Sequence, residues 1–297
     1  MASLEFTKMQ GCGNDYIYIV ALRARPADPA ALSRRLSDRH FGVGADGLIM
    51  LAPSRVGDFR MEMYNADGSR GDMCGNGIRC LARLAYERGF VRKNPLAVET
   101  DAGLKTVHLQ VVKGQVQSAT VDMGEPILEG RQIPVAAEGR ITDYPLEVGG
   151  RTEKITCVSM GNPHCVVFVD DDSVFELEGF EFARLGRRFE NHAFFPKRVN
   201  TEFILPLSRD RLKMRVWERG SGETLACGTG ACAALVAAVL TGRAERRATV
   251  ELRGGNLEIE WPRDGEGKGA VHMSGEAITV FNGQVELGDA EMVPVSR

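Results

Sequence analysis

Residues 227–240 read CGTGACAALVAAVL, and this stretch decides the fold. Apolar side chains follow one another along it with no polar face, and Gly242 suits the end of a helix. A helix that is apolar on nearly every side must be enclosed by other parts of the protein. Much of the remaining chain alternates between apolar and polar residues, as strands do. The sequence therefore predicts a sheet that curls around a central helix.

Three further helices are expected. One spans 75–87 ahead of Gly89, one begins at Pro29 after the N-cap residue Asp28, and one spans 182–189. Two-residue alternation predicts the strands, which are expected over 15–22, 47–52, 59–63, 105–112, 115–123, 155–169, 212–216, 248–252, 257–261 and 277–281.

The enclosed helix belongs to an internal repeat. Cys74-Gly75-Asn76-Gly77 recurs 153 positions later as Cys227-Gly228-Thr229-Gly230. Two more landmarks recur in the same order at nearly the same offset: Tyr64-Asn65 with Trp217-Glu218, and Gly13-Asn14 with Gly161-Asn162. We infer two structurally similar halves, each with one cysteine at the start of one helix. Their boundary is expected in the segment after Met123.

Composition excludes several classes of protein. The 297 residues carry a formal net charge of −3, which gives no general attraction to nucleic acid or to anionic membranes. No apolar run is long enough to span a membrane, and the N-terminus is not expected to be a signal peptide. The seven cysteines form no CxxC pair, so we expect reduced thiols in the cytoplasm and no metal site.

Cysteine at the start of a helix is suited to acid/base chemistry. The helix end is expected to lower the thiol pKa, and the free amides beside it can bind a carboxylate. Two such sites facing each other could invert an amino-acid α-carbon, one thiolate removing the proton and the opposite thiol returning one. That chemistry needs no metal and no cofactor. The other five cysteines lack the repeat and are expected to be small core residues: Cys12, Cys80, Cys157, Cys165 and Cys232.

Several motifs together resemble the diaminopimelate epimerase family along essentially the whole chain. In chain order they are Lys8-Met9, Gly13-Asn14-Asp15, 41–46 (FGVGAD), 65–68 (NADG), 73–77 (MCGNG), 161–164 (GNPH), 200–203 (NTEF), 218–220 (ERG) and 227–230 (CGTG). The resemblance implies an α/β (α+β) protein of two pseudo-symmetric domains, each a barrel-like, mostly antiparallel sheet around a central helix. It places residues 1–123 plus 277–297 in the first domain and 124–276 in the second, with the site in the cleft between them.

The resemblance also implies the reaction and the roles of residues. The small-molecule substrate would be LL-2,6-diaminopimelate, converted to the meso form for lysine and peptidoglycan synthesis. Cys74 and Cys227 would be the catalytic thiols, with Cys74 the proton donor and Cys227 the acceptor in that direction. His164 and Glu218 would tune the thiol pKa values. The substrate would be bound by Asn14, Asn65, Gly75, Asn76, Asn162, Asn200, Glu218, Arg219, Gly228 and Thr229.

Two alternatives stay open at this point. A proline, hydroxyproline or histidine racemase would keep the fold and change the substrate, although hydroxyproline-type relatives tend to have histidine where this chain has Asn76. A non-enzymatic thiol redox protein would use the same two cysteines. We also expect that Cys74 and Cys227 can form an inactivating disulfide across the cleft. The chain departs from the family at Gly47, where glutamine is frequent.

The sequence carries no interface signature, so a homodimer is expected only because such assemblies are common.

Overall fold

The computed structural model describes residues 2–262, 269–288 and 291–295. Within these ranges the chain forms five helices: α1 (Pro29–Ser37), α2 (Gly75–Glu87), α3 (Ser173–Glu176), α4 (Gly179–Glu190) and α5 (Gly228–Leu240). The strands are β1 (Ala2–Gly11), β2 (Asn14–Val20), β3 (Ala24–Pro26), β4 (Gly47–Ala52), β5 (Phe59–Asn65), β6 (Arg70–Gly71), β7 (Leu96–Thr100), β8 (Gly103–Val112), β9 (Gln115–Asp122), β10 (Tyr144–Val148), β11 (Arg151–Ser159), β12 (Pro163–Phe168), β13 (Asn200–Ser208), β14 (Arg211–Glu218), β15 (Gly222–Glu223), β16 (Arg247–Leu252), β17 (Gly255–Glu260), β18 (His272–Gly275), β19 (Ile278–Leu287) and β20 (Met292–Pro294).

The four predicted helices are all present. The Asp28 side chain caps α1 by accepting a hydrogen bond from the Ala31 amide at 2.9 Å. Helix α2 has the predicted bounds, and Gly89 follows it with a φ of 76°. Left-handed backbone of this kind is why glycine marks a helix end. Among the described residues, the helices are too short or too polar to cross a membrane.

The chain divides into two compact units. The first consists of Met1–Val121 with Ser274–Arg297. In its sheet β1 pairs antiparallel with both β19 and β2, and β2 lies parallel to β4. The sheet continues through β5, β7, β8 and β9. Helix α2 packs against β1, β2, β4 and β8, so its N-terminus is fixed from several sides.

The second unit is Asp122–Met273. Strands β10, β11 and β12 are antiparallel, β12 is parallel to β13, and β13 is antiparallel to β14. The sheet ends with β16 and β17. Helix α5 packs against six of these strands, and residues 230–238 of the helix are all buried. The enclosed helix predicted from residues 227–240 is therefore present.

A second core lies on the outer side of this unit's sheet. Helix α4 places Phe182 and Phe189 there, where both rings make edge-on contacts with Phe203 of β13. Side chains alternate across a strand, so Glu202 must point to the opposite face, toward α5. A carboxylate is thereby placed in the interior beside the central helix.

The predicted fold class is confirmed: each unit is a mostly antiparallel sheet against which a helix that begins at a cysteine, α2 or α5, is packed. The predicted domain limits, 1–123 plus 277–297 and 124–276, remain our proposal. The two compact units begin and end within three residues of those limits.

One strand prediction was wrong. Residues 155–169 were expected to form a single strand, whereas β11 ends at Ser159 and β12 begins at Pro163. Gly161 has a φ of 99°, which turns the chain back so that the two strands pair antiparallel. The β-branched residues on both sides of the turn extend the apolar pattern through it, and the pattern alone does not locate the turn.

Candidate active site

Cys74 is the N-cap residue of α2. Its backbone is extended, with a φ of −127°, and its sulfur accepts a hydrogen bond from the Gly77 amide at 3.3 Å. The thiol itself donates to Oδ1 of Asn14 at 3.1 Å. Asn14 begins β2, so the sheet and the helix it covers bring these two predicted site residues together.

Asn14 is held from its other end by a residue that the predictions did not include. Its Nδ2 donates to Oδ2 of Asp46 at 2.7 Å. Asp46 directly precedes β4, the strand that lies parallel to β2. It is part of the 41–46 motif, but the carboxylate had no assigned role.

Tyr16 is a second residue that the predictions missed. It is buried, and its hydroxyl interacts with the side chains of both Asn14 and Cys74. Burial raises the pKa of Tyr16 well above its ordinary value, and the neighbouring Cys74 adds to the rise. The hydroxyl therefore stays protonated. Its place two residues after Asn14, on the same face of β2, is a signal that the sequence did contain.

The structure gives a reason for glycine at position 47. A Cβ there would lie 2.2 Å from the backbone oxygen of Tyr64 and 2.9 Å from the ring of Tyr16. Gly47 is directly opposite Tyr16 in the parallel β2–β4 pair. This backbone has no room for the glutamine side chain that is frequent in the family.

The remaining predicted residues of the first unit lie at element ends. Asn65 ends β5, and its amide donates to Ser69 Oγ at 2.9 Å. Asn76 is only 3% exposed, and its Oδ1 has no hydrogen-bond partner among the described residues. Gly75 and Asn76 form the first turn of α2, where backbone amides have no partner within a helix. That turn can bind an anion.

Cys227 caps α5 as Cys74 caps α2. Its φ is −124°, and its sulfur accepts from the Gly230 amide at 3.4 Å. The Thr229 hydroxyl lies 3.5 Å from the sulfur, and the thiol also hydrogen-bonds the Glu218 carboxyl. The two helices therefore begin with the same arrangement of cysteine, glycine and amide.

A buried chain of polar groups lies beside Cys227. His164 and Glu202 are both fully buried, with Nδ1 of the histidine 2.7 Å from Oε1 of the glutamate. Nε2 of His164 is 3.0 Å from Oδ1 of Asn162, whose Nδ2 donates to the Thr229 hydroxyl at 3.3 Å. Glu202 was not predicted as a site residue. A charged residue inside an otherwise apolar strand was the signal for it.

Glu218, Arg219 and Asn200 form a third group. The Glu218 carboxylate accepts from the Thr224 hydroxyl at 2.5 Å. The Asn200 Oδ1 accepts from the Arg219 backbone amide at 2.9 Å, and the Arg219 guanidinium donates to the Lys197 carbonyl at 3.2 Å. Asn200 thus fixes the backbone on which Arg219 stands.

The expected lowering of the thiol pKa by the helix end does not hold for Cys227. Burial raises its pKa well above the ordinary value, and the nearby carboxylates of Glu218 and Glu202 raise it further. The hydrogen bond from the Gly230 amide lowers the pKa, but by the least of these effects. Burial also raises the pKa of Glu218. Cys227 thus favours its neutral thiol form, and its ionisation requires a nearby positive charge.

The same cluster is the candidate metal site in the described part of the chain. Single ligand atoms of His164, Glu202 and Cys227 all lie within 4.8 Å of one another. Two ligands about 2.1 Å from one tetrahedral zinc ion would be about 3.4 Å apart. The His164–Glu202 separation of 2.7 Å is instead that of a hydrogen bond. The geometry favours a hydrogen-bonded cluster over a metal centre.

Comparison with solved structures identifies a group of proteins that share this fold. Two solved structures share the fold: a Bacillus anthracis phenazine biosynthesis protein of the PhzF family and a probable proline racemase from Agrobacterium radiobacter. The first is 17% identical, with a TM-score of 0.68, covering 97% of this chain and 100% of its own. The second is 16% identical, with a TM-score of 0.66, covering 96% and 93%. The chain therefore has the fold of the PhzF and proline racemase group.

Sequence comparison narrows this class to one family. Residues 6–129 and 156–280 match the profile of diaminopimelate epimerase. The diaminopimelate epimerase of Acetivibrio thermocellus is 50% identical over 287 residues, which cover 96% of this chain and all of that relative. The chain belongs to the diaminopimelate epimerase family and is an isomerase.

Proposed function

We propose that this protein converts LL-2,6-diaminopimelate to the meso form, a step of lysine and peptidoglycan precursor synthesis, with Cys74 and Cys227 as its acid/base pair. The observation that carries the proposal is the repeated helix start. Two helices of 13 residues each begin at a cysteine whose sulfur accepts the amide hydrogen three residues later. The full-length likeness to diaminopimelate epimerases supplies the substrate.

The two thiols differ in a way that suits opposite roles. The Cys74 thiol donates a hydrogen bond to the Asn14 carbonyl oxygen, so Cys74 is protonated and can supply the proton that the product needs. Cys227 lies against the Glu218 carboxyl, to which its proton can pass. In the LL-to-meso direction the Cys227 thiolate removes the α-proton and the Cys74 thiol returns one to the other face. The enzyme takes up one proton and gives one back, so its proton count is unchanged, and the turnover ends with a thiol at Cys227 and a thiolate at Cys74. That is the starting state for the return reaction, in which the roles reverse.

The carbanion formed between these steps needs stabilisation next to a carboxylate. In our proposal the free amides of Gly75 and Asn76 and those of Gly228 and Thr229 bind the reacting carboxylate. The capping sulfurs leave those amides free, since they take the amides of Gly77 and Gly230. The other charged groups of the substrate would be held by Asn14, Asn65, Asn162, Asn200, Glu218 and Arg219.

Substrate charge also accounts for ionisation of Cys227. Burial and two carboxylates oppose the thiolate in the free protein. The α-ammonium group of a bound amino acid would supply the missing positive charge and favour the thiolate. A dithiol redox protein requires thiols of low pKa, and the raised pKa of Cys227 argues against that alternative.

Exchange of the substrate's α-hydrogen with solvent tests the proposal directly. The protein is incubated in deuterated water with LL-diaminopimelate, proline or histidine, and deuterium at the α-carbon is measured. We expect exchange and inversion with diaminopimelate alone. Cys74→Ala and Cys227→Ala should abolish inversion, whereas Cys80→Ala, a buried thiol of the same helix as Cys74, should retain it. Inversion by either of the first two variants at the wild-type rate would refute the two-thiol mechanism.

The cellular setting follows from the same proposal. We propose a cytoplasmic enzyme that acts on a free small molecule, without nucleic acid or membrane partners, and that forms a homodimer. Light scattering coupled to gel filtration, over a range of concentrations, measures the assembly. A single species with the mass of one chain, 32.4 kDa, would exclude the dimer.

A further inference from the structure

The Asn14 side chain is fixed in one of its two amide orientations. A primary amide has a donor end and an acceptor end. The donor end, Nδ2, bonds Asp46 at 2.7 Å, and the acceptor end, Oδ1, faces the Cys74 thiol at 3.1 Å. We propose that Asp46 is a positioning residue, which holds the Asn14 amide so that its carbonyl faces Cys74 and keeps the proton on that thiol.

Asp46 is itself held in place from several directions. Its backbone amide donates to the Asp15 carbonyl at 2.8 Å, and its carbonyl accepts from the Ala66 amide at 2.9 Å. Its Oδ2 also accepts from the Asp15 amide at 3.1 Å, and its Oδ1 accepts from the Arg39 guanidinium at 2.9 Å. The carboxylate therefore presents a fixed acceptor to Asn14.

Orientation of the amide decides which form of Cys74 is favoured. A carbonyl oxygen accepts a hydrogen bond from the thiol and repels the thiolate. If the amide turned over, its NH2 group would face the sulfur and stabilise the thiolate instead. The turned amide would also set its carbonyl against the Asp46 carboxylate. Two acceptors in contact repel each other, so Asp46 excludes that orientation.

Among the described residues of the second unit, no carboxylate orients an amide toward Cys227 in this way. There the matching residue, Asn162, directs its Oδ1 to His164 and its Nδ2 to Thr229. The carboxyl of Glu218 lies against the Cys227 thiol instead. The inference rests on the proposed function, in which Cys74 is the proton donor toward the meso product. It adds the reason why the two otherwise equivalent thiols start the reaction in different states.

Alkylation of the thiols tests the inference without measuring activity. Wild type and Asp46→Ala are treated with iodoacetamide at one pH, and the rate at Cys74 is followed by mass spectrometry of its peptide. Loss of a hydrogen bond that favours the thiol should speed alkylation of Cys74 about three- to tenfold. The rate at Cys227 should not change. An unchanged rate at Cys74 overturns the inference, whether or not the protein proves to be an epimerase.

Two matched variants separate positioning from general charge effects. Asp46→Asn keeps an oxygen that can accept from Asn14 and should restore the wild-type alkylation rate at Cys74. Arg39→Ala removes the exposed guanidinium that bonds both Asp46 and Asp15 but leaves the Asn14–Asp46 bond in place, so it should also behave as wild type. A rise in either variant equal to that of Asp46→Ala would contradict the role of the Asn14 bond.

A comparison of single and double variants distinguishes loss of Asn14 positioning from local unfolding. In Asn14→Ala there is no amide to orient, so adding Asp46→Ala should not speed alkylation of Cys74 any further. If Asp46→Ala acted by loosening the fold, it would add the same factor in both backgrounds, and fully buried Cys80 would begin to react. That result overturns the inference. Failure of the proposed function would instead appear as lost inversion chemistry with the alkylation pattern intact.

Discussion

Replacing Gly230 with alanine should disturb the groups that surround the Cys227 thiol. A Cβ at this position would lie 2.6 Å from Oε1 of Glu202 and 3.2 Å from Cβ of Cys227. Ordinary contact begins at 3.4 Å, so the carboxylate would have to retreat by 3.4 − 2.6, or about 0.8 Å. Glu202 is fully buried and hydrogen-bonded to His164 at 2.7 Å, which leaves it little freedom to move.

The expected cost of Gly230→Ala follows from that bond. A hydrogen bond to a charged group such as a carboxylate contributes about 1.5 to 3 kcal/mol, and its loss leaves buried polar atoms unpaired. Alanine gains about 1 kcal/mol over glycine within a helix. We therefore expect a net loss of about 0.5 to 2 kcal/mol, or a Tm lower by about 1 to 8 °C for a unit of this size.

Gly77→Ala is the matched control in the repeat. Its Cβ would also meet an atom at 2.6 Å, but that atom is Cδ1 of Ile49, followed by Cε of Met61 at 3.2 Å. Both are ends of flexible apolar side chains and can rotate away. The helix gain should offset the remaining strain, and we expect a Tm within about 2 °C of wild type.

Differential scanning calorimetry of both variants measures the comparison. The reasoning requires Gly230→Ala to melt clearly below Gly77→Ala, because only the first methyl group meets an immobile carboxylate. Equal melting temperatures would mean that Glu202 is free to move, and the rigid His164–Glu202 pair would have to be abandoned.

Two other variants probe the acid/base pair. Glu218→Gln removes a carboxylate that raises the pKa of Cys227, so the pKa of Cys227 should fall, although burial keeps it above the ordinary value. Iodoacetamide should then modify Cys227 about tenfold faster at pH 8, while inversion of diaminopimelate slows. Slower modification of Cys227 would contradict the predicted direction of the pKa change. Tyr16→Phe keeps the buried ring but removes the hydroxyl that interacts with Cys74. The kcat for inversion should fall about threefold to tenfold with an unchanged melting temperature. A wild-type kcat would show that the hydroxyl has no part in the reaction.

Much of the architecture could be predicted because it depends on local patterns. The enclosed helix followed from an unbroken apolar run, and α1 followed from Asp28 before Pro29 and from its apolar spacing. Strand ends were harder to predict, as the segment from Ile155 to Val169 illustrates. Its apolar pattern continues through the turn at Gly161, and only the pairing of β11 with β12 separates the two strands.

In the candidate site, too, residues in a local motif could be predicted and residues that act through distant contacts could not. Both helix-capping cysteines could be predicted, because their motif is repeated and glycines surround it. Glu202, Asp46 and Tyr16 were missed because their importance lies in a contact with another segment. Glu202 matters through His164, which is 38 positions away in the chain but lies on the neighbouring strand. Pairings between segments distant in the chain do not appear in a local pattern of residues.

The pairing of β1 with β19 has a consequence for the order of folding. Ala2 lies opposite Leu287, so β1 has no partner strand on that side until synthesis has passed Leu287. Residues 122–273 form their unit without any later segment and can fold while synthesis continues. A stop codon ahead of β19 would remove none of the candidate site residues. It would nevertheless leave β1 without its partner strand, and so loosen the sheet against which the Cys74 helix packs.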